Sequence, residues 1–161
     1  MSNTWVPLDN IDMECFACGL ENNHGLKMRF ETNGEKLRSF VSVPEHLRGW
    51  SNLVHGGVIS TMIDEVMSWS AIHLHKRFIL TKSMTINFKK PVKIKKELIV
   101  YGFVVEKKND RQVVMAAEII DEKGDICACG TGEFVLFTAE QFSSLELVKE
   151  EQIKEMAASY S

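Results

Sequence analysis

Leu53 to Trp69 reads "LVHGGVISTMIDEVMSW". Two glycines stand at the mouth of a strongly apolar run, and two acidic residues, Asp64 and Glu65, stand in its middle. Glycine is a poor helix former and a buried carboxylate is costly, so the segment either caps an ordinary helix or builds a site. From Val58 to about Leu74 the run is long enough for a helix. At 100° per residue, Gly57 and Ala71 fall within about 20° of Asp64, and Ser60, Thr61 and Ser68 within about 60°. Val58, Ile59, Met62, Ile63, Val66, Trp69 and Ile72 fill the wider remaining sector. Asp64 therefore lies on a narrow stripe of small and polar residues and is the carboxylate placed to meet a cleft. Glu65 falls among the apolar residues and is expected at the helix edge or paired with a basic residue. The plain alternative for Asp64 is a satisfied polar residue facing water or a second subunit.

On either side of this helix the pattern is that of strands. Upstream, "GLKMRFET" and "KLRSFVSV" flank Asn33-Gly34, a strong hairpin signal. "PEHLRGWSN" reads as a turn with at most one helical turn. From Leu80 the period changes to two, and "LTKSMTINFKKP", "ELIVYGFVVEKK", "QVVMAAEIIDE" and "DICACGTGEFVLF" read as four strands. The tail from Ala139 is amphipathic and predicts a peripheral helix to about residue 158. A lone helix that is apolar around most of its circumference must be enclosed. The economical architecture is an α+β fold, a curved antiparallel sheet wrapped around one long central helix. The expectation is one domain over residues 1–161, with its core at about 13–138.

Composition sets the outer limits. The chain has 161 residues, 45% hydrophobic and 25% charged, with a net charge of −3. That is an ordinary globular composition and gives no general reason to expect nucleic-acid binding. No apolar run approaches the roughly 20 residues of a membrane span, and the N-terminus has no basic start before an apolar block. The expected location is the cytoplasm, with neither membrane nor nucleic acid as partner. "KKPVKIKK", Lys89 to Lys96, is either a solvated strand edge or an anchor for a phosphate-bearing ligand. Of the four cysteines, Cys15 and Cys18 form a "CFACG" pair and Cys127 and Cys129 a "CACG" pair. A structural zinc site wants two closely spaced pairs, and the second spacing is wrong for it. No metal is expected; the cysteines are read as small buried hydrophobes.

His55-Gly56-Gly57 sits where the helix begins, and a first helical turn has free backbone N–H groups and partial positive charge. Glycine there lets a ligand come close, and such an end can hold a carbonyl oxygen that is becoming an oxyanion. His55 is read first as fixing the loop and second as a base. Gly57 and Asp64 are about 10 Å apart along a helix axis, too far for one small group to touch both. If they act together they come from different copies, with two helices antiparallel across a two-fold axis. The expectation is a homodimer with sites at its interface.

"HGGVISTMIDEVMSWSA" resembles the signature helix of hotdog-fold thioesterases of the PaaI-like and hydroxybenzoyl-CoA thioesterase group. "CFACGLENNHGLKMRF", "TKSMTINFKKPVK" and "GTGEFVLF" are similar to flanking stretches of that group, and the likeness covers roughly residues 13 to 138. The resemblance implies an acyl-CoA thioesterase, with coenzyme A as part of the substrate and no further cofactor. It implies Asp64 as the carboxylate that attacks the thioester carbonyl or activates water, Gly57 as the backbone donor to that carbonyl, and Thr81 as a holder of the water. His55 joins these as a catalytic candidate. Gly56, Asn52, Glu65, Ser68, Lys89 and Lys90 are candidates for substrate binding, the lysines for coenzyme A phosphates. Met62, Met67, Trp69 and Phe88 are candidates for an acyl channel. The assembly implied is a homodimer or a homotetramer built as a dimer of dimers. A non-catalytic acyl-CoA-binding module and a hotdog hydratase or dehydratase are the alternatives.

Overall fold

A computed structural model describes residues 3–160; the expected domain limits at 1 and 161 lie outside them. The chain runs β1 (Val6–Pro7), β2 (Glu31–Thr32), β3 (Lys36–Ser42), α1 (Gly56–His75), β4 (Phe78–Phe88), β5 (Glu97–Asn109), β6 (Gln112–Ile120), β7 (Ile126–Phe137), α2 (Ala139–Ser143) and α3 (Glu150–Ser159). The strands form one antiparallel sheet of order β1-β2-β3-β5-β6-β7-β4. The long helix packs on it, as the sequence pattern requires. No helix among the described residues is long and apolar enough to cross a membrane.

Alternating side chains of β3, β5, β6 and β7 point at α1. Leu37, Val100, Met115, Ile119 and Ala128 are fully buried against Met62, Ile63, Val66 and Met67 of the helix. Helix and sheet approach closely at Gly102 in β5, where an added Cβ would lie 2.7 Å from the Val66 carbonyl oxygen. A residue with no side chain is what allows α1 to lie this deep. The turn "PEHLRGWSN" holds a single 3₁₀ turn at Glu45–Leu47.

Three features differ from the sequence pattern. The Asn33-Gly34 hairpin exists, but its first arm pairs only over Glu31–Thr32. A short strand, β1, precedes it and pairs with β2. The expected tail helix is two helices, separated by a turn in which Glu146 takes a left-handed φ of 54°. Thr138 and Gln141 form a reciprocal capping box that starts α2. The tail docks through Phe142, Ile153 and Tyr160 onto Phe78 and Phe137, a second small core at the start of β4 and the end of β7.

β4 is the edge strand beside β7, and it is unusually bare. A bulge between Thr81 and Ser83 shifts its register on β7. Thr81 lies opposite Phe134 before the bulge, and Ile86 and Phe88 lie opposite Gly130 and Ala128 after it. Directly opposed residues share a face, and Phe134 and Ala128 face the core. Met84, Ile86 and Phe88 thus sit on the helix side of the sheet, yet Met84 is 38% and Phe88 58% exposed.

Gly102→Ala is expected to destabilise the fold by about 1–3 kcal/mol, because the backbone of α1 must shift to admit one methyl. Urea denaturation of the two proteins measures it; an unchanged midpoint would mean the helix does not rest on this strand.

Candidate active site

Successive helical residues point about 100° apart, so Asp64 and Glu65 enter different surroundings. Gly57, Thr61, Asp64 and Ser68 form a partly exposed stripe on α1 beside β4, while Ala71, in line with them on the helical wheel, is buried in the core. Asp64 reaches the sheet: the Thr81 hydroxyl donates to its Oδ1 at 2.9 Å. The β4 bulge comes immediately after Thr81, so the strand delivers this hydroxyl to the helix side and then turns its next residues. Burial pushes the Asp64 pKa above the ordinary carboxylate range, and the Thr81 hydrogen bond opposes that push.

Glu65 does not emerge at the helix edge, and none of the ion pairs among the described residues includes it. It turns inward, accepting from Trp69 Nε1 at 3.1 Å and lying 3.8 Å from Cys15 Sγ. Burial above all pushes its pKa up, to about 7, with the Cys15 sulfur adding to the rise. The loop before β2 folds across this part of α1, with the Phe30 ring stacked on Trp69 at 4.5 Å. Periodicity along the helix gave no sign of that loop.

At the helix mouth, His55 is the N-cap residue, and its Nδ1 accepts the Gly57 N–H at 2.9 Å. The Val58 and Ile59 amides donate to the His55 carbonyl. Among the described residues, that leaves the Gly56 N–H as the first-turn amide with no acceptor. Gly57, the expected donor to a carbonyl, is already satisfied by the histidine two residues before it. Ring and backbone of His55 both cap the helix, which is the loop-fixing role. Gly56 is half-buried beside the Phe88 ring, and an added Cβ would lie 3.7 Å from that ring. An open basin of about 620 Å³ lies in front of the mouth, lined by Arg48, Trp50 and Leu53.

The lysine cluster divides. Lys90 is committed to Asp121 at 2.6 Å and Asp125 at 2.9 Å, so it anchors the β6–β7 turn and is not a free cation. Lys95 pairs with Glu45. Lys89 is exposed, and Lys93 bridges to Leu53 next to the helix mouth. The Asn52 carbonyl accepts from Ile94, so this residue holds the same two loops together. Lys93 belongs to the lysine run read as a candidate phosphate anchor, and it is the loop pairing that places it here. Ser68 and Trp69 line a cavity of about 670 Å³ with Glu65. Met62 and Met67 are fully buried packing residues, and Phe88 lies at Gly56.

This fold has counterparts among known proteins. A model of the thioesterase superfamily matches residues 51–128, from the loop before α1 into β7. The acyl-coenzyme A thioesterase THEM4 of Bos taurus is 26% identical over 136 residues, which are 81% of this chain and 54% of that protein. The chain thus spans about half the length of this curated relative. A solved thioesterase superfamily protein superposes with a TM-score of 0.69 at 23% identity, over 79% of this chain and 66% of its own. A hypothetical thioesterase protein of Streptococcus pneumoniae TIGR4, solved with coenzyme A, gives 0.60 at 20% identity, over 63% of this chain and 81% of its own. The fold is the hotdog fold, and its central segment, residues 51–128, matches the thioesterase superfamily model.

The raised pKa of Glu65 has a consequence for stability. Between about 4.5, its ordinary value, and about 7, the folded state binds the proton that the unfolded state has released. Stability therefore falls as pH rises through that window. In buffer containing a chelator, Glu65→Gln is expected to remove about 3 kcal/mol of this loss, read from denaturation midpoints across the window. Parallel curves for the two proteins would contradict it.

Proposed function

We propose that the protein is an acyl-CoA thioesterase that acts as a homodimer, with Asp64 of one protomer and the Gly56 amide of the other flanking the thioester carbonyl. The observation that carries this reading is the pairing of two features on one helix. A half-buried carboxylate rests on a threonine hydroxyl, and an amide without an acceptor stands at the helix mouth. The amide polarises the carbonyl and takes up the charge that develops on its oxygen. Asp64 Oδ1 is held by Thr81, which leaves Oδ2 to accept a proton from water. The hydroxide so formed attacks the thioester carbon, the C–S bond breaks, and the thiolate takes up the proton. The products are a free acid and coenzyme A. In this reading Asp64 is a general base, and Thr81 positions both it and the water.

Gly56 and Asp64 lie on one continuous helix, about 12 Å apart along its axis, so each site needs two copies. The bare face of β4 supports the same arrangement. An edge strand with apolar residues uncovered on its core side is completed by a second copy of itself and by that copy's helix. Lys93 and Lys89 flank the mouth and suit the phosphates of coenzyme A, and the coenzyme A bound in the streptococcal structure agrees with this substrate class.

Free-thiol release from a panel of acyl-CoAs tests the reaction. Asp64→Asn is expected to lower kcat by a factor on the order of 10² to 10⁴ while still binding substrate. Binding without turnover by the parent would mark a non-catalytic module instead. Asp64 must be ionised to act, so the acid limb of kcat/KM is expected above the ordinary carboxylate range, with activity rising as pH rises. Thr81→Ala, which removes the hydrogen bond that favours the charged form, moves that limb to higher pH. An unmoved limb would take Thr81 out of the site. Met84→Asp on the bare β4 face is expected to give a folded monomer without activity, read by light scattering and the same assay. An active monomer would overturn the shared site.

A further inference from the structure

Cys15 and Cys18 lie between β1 and β2 in the sequence Cys15-Phe16-Ala17-Cys18-Gly19. The Gly19 N–H donates to the Cys15 carbonyl at 2.9 Å. The turn this closes is tight enough that a Cβ on residue 19 would lie 2.6 Å from that carbonyl oxygen. Leu26 and Met28 donate their amides to the Phe16 and Ala17 carbonyls at 3.0 and 2.9 Å, so the turn is pinned from its open side as well. The result is a rigid presentation of two thiols toward α1.

The third group comes from the helix. Cys15 Sγ, Cys18 Sγ and a Glu65 carboxylate oxygen all lie within 4.8 Å of one another, and Cys15 to Glu65 is 3.8 Å. In a tetrahedron with metal–sulfur bonds of about 2.3 Å and a metal–oxygen bond of about 2.0 Å, such ligand pairs are about 3.5–3.8 Å apart. All three groups are acids, and no ion pair among the described residues neutralises Glu65. Buried acids with no counter-charge are costly to ionise, so with nothing else present such groups keep protons. A divalent cation would take the place of those protons and supply the missing positive charge.

We propose that Cys15, Cys18 and Glu65 form a zinc site whose fourth position opens into the cavity of about 670 Å³ that Asp12 also lines. Two thiolates select a borderline-soft cation over magnesium or calcium. Trp69 Nε1, donating to Glu65 at 3.1 Å, fixes the carboxylate as an outer partner of a metal ligand does. The ion ties the N-terminal turn to α1 at the residue next to Asp64, and so sets the wall of the cavity. Uptake displaces the protons of these groups into solvent, so affinity falls as pH falls. The site stands on its own geometry and does not depend on the thioesterase reading.

The test is a titration of the full chain with Co²⁺ alone, under a non-thiol reductant, followed by Zn²⁺ displacement against a chromophoric chelator. One equivalent of cobalt is expected to give a thiolate charge-transfer band with tetrahedral visible bands, and zinc to remove them. Cys15→Ser and Cys18→Ser lose the band, whereas Cys127→Ser and Cys129→Ser retain it. Glu65→Gln keeps the band but weakens zinc binding about tenfold or more. If a serine variant does not fold by circular dichroism, the parent's spectrum and Glu65→Gln decide. No band in the folded, reduced parent would overturn the proposal, as would a band that survives Cys15→Ser or zinc affinity unchanged in Glu65→Gln. A Cys15–Cys18 disulfide forming in air with no metal uptake after reduction would identify a redox pair instead.

Discussion

Two neighbouring acids on a buried helix cannot share an environment, and the architecture around α1 follows from that constraint. At 100° per residue, Asp64 is directed to β4 and Glu65 to the loop that crosses the helix from the other side. Each carboxylate must find partners there, because an unpartnered charge in the interior is not tolerated. Asp64 finds a hydroxyl and a strip of exposure; Glu65 finds an indole N–H and two thiols. The first environment keeps a carboxylate able to accept a proton from water. The second suits a group that is either protonated or bound to a cation. Residue order alone would not have separated these fates, since both residues are acidic and adjacent.

The same helix explains why the fold is open on one side. α1 packs on all five long strands, but β4 lies at the edge and still carries Met84 and Phe88 exposed on the helix side. Gly57, Thr61, Asp64 and Ser68, the residues of α1 that face this gap, are small or polar. Large apolar side chains there would close the gap within one copy. Small ones leave room for a second backbone to approach. In the proposed homodimer the bare strand and the small-residue stripe would be two sides of one interface, with Thr81 and Asp64 between them.

The helix, the period-two strands and the enclosing sheet were all legible in the sequence, because each follows from the period of apolar residues. Gly102 shows the limit of that reading: its role depends on which strand passes beneath Val66, a long-range pairing that no local pattern encodes. The half-buried placement of Asp64 at the edge of the helix was legible because its neighbours on the helical wheel are small. Glu65 was misread, since the wheel places it among apolar residues but cannot say what packs on them. Lys90 was misread for a similar reason, its partners Asp121 and Asp125 lying 31 and 35 residues away. Gly57 and Gly56 are indistinguishable by residue type. Only the direction of the His55 ring shows which of their amides is taken.

The cysteines carry the same argument one step further. A search for zinc ligands by spacing asks for a second close pair, and "CACG" fails it. The third ligand is instead a carboxylate from the helix, 50 residues from Cys15, brought in because the loop before β2 crosses α1. The Cys15–Cys18 turn is over-determined for a pair of small hydrophobes. It is closed by Gly19 and pinned by Leu26 and Met28. Apolar packing needs none of these: alanine or valine would fill the space. Two thiols held within 4.8 Å of a partly buried carboxylate are three acids with no counter-charge, and a cation is what would complete them.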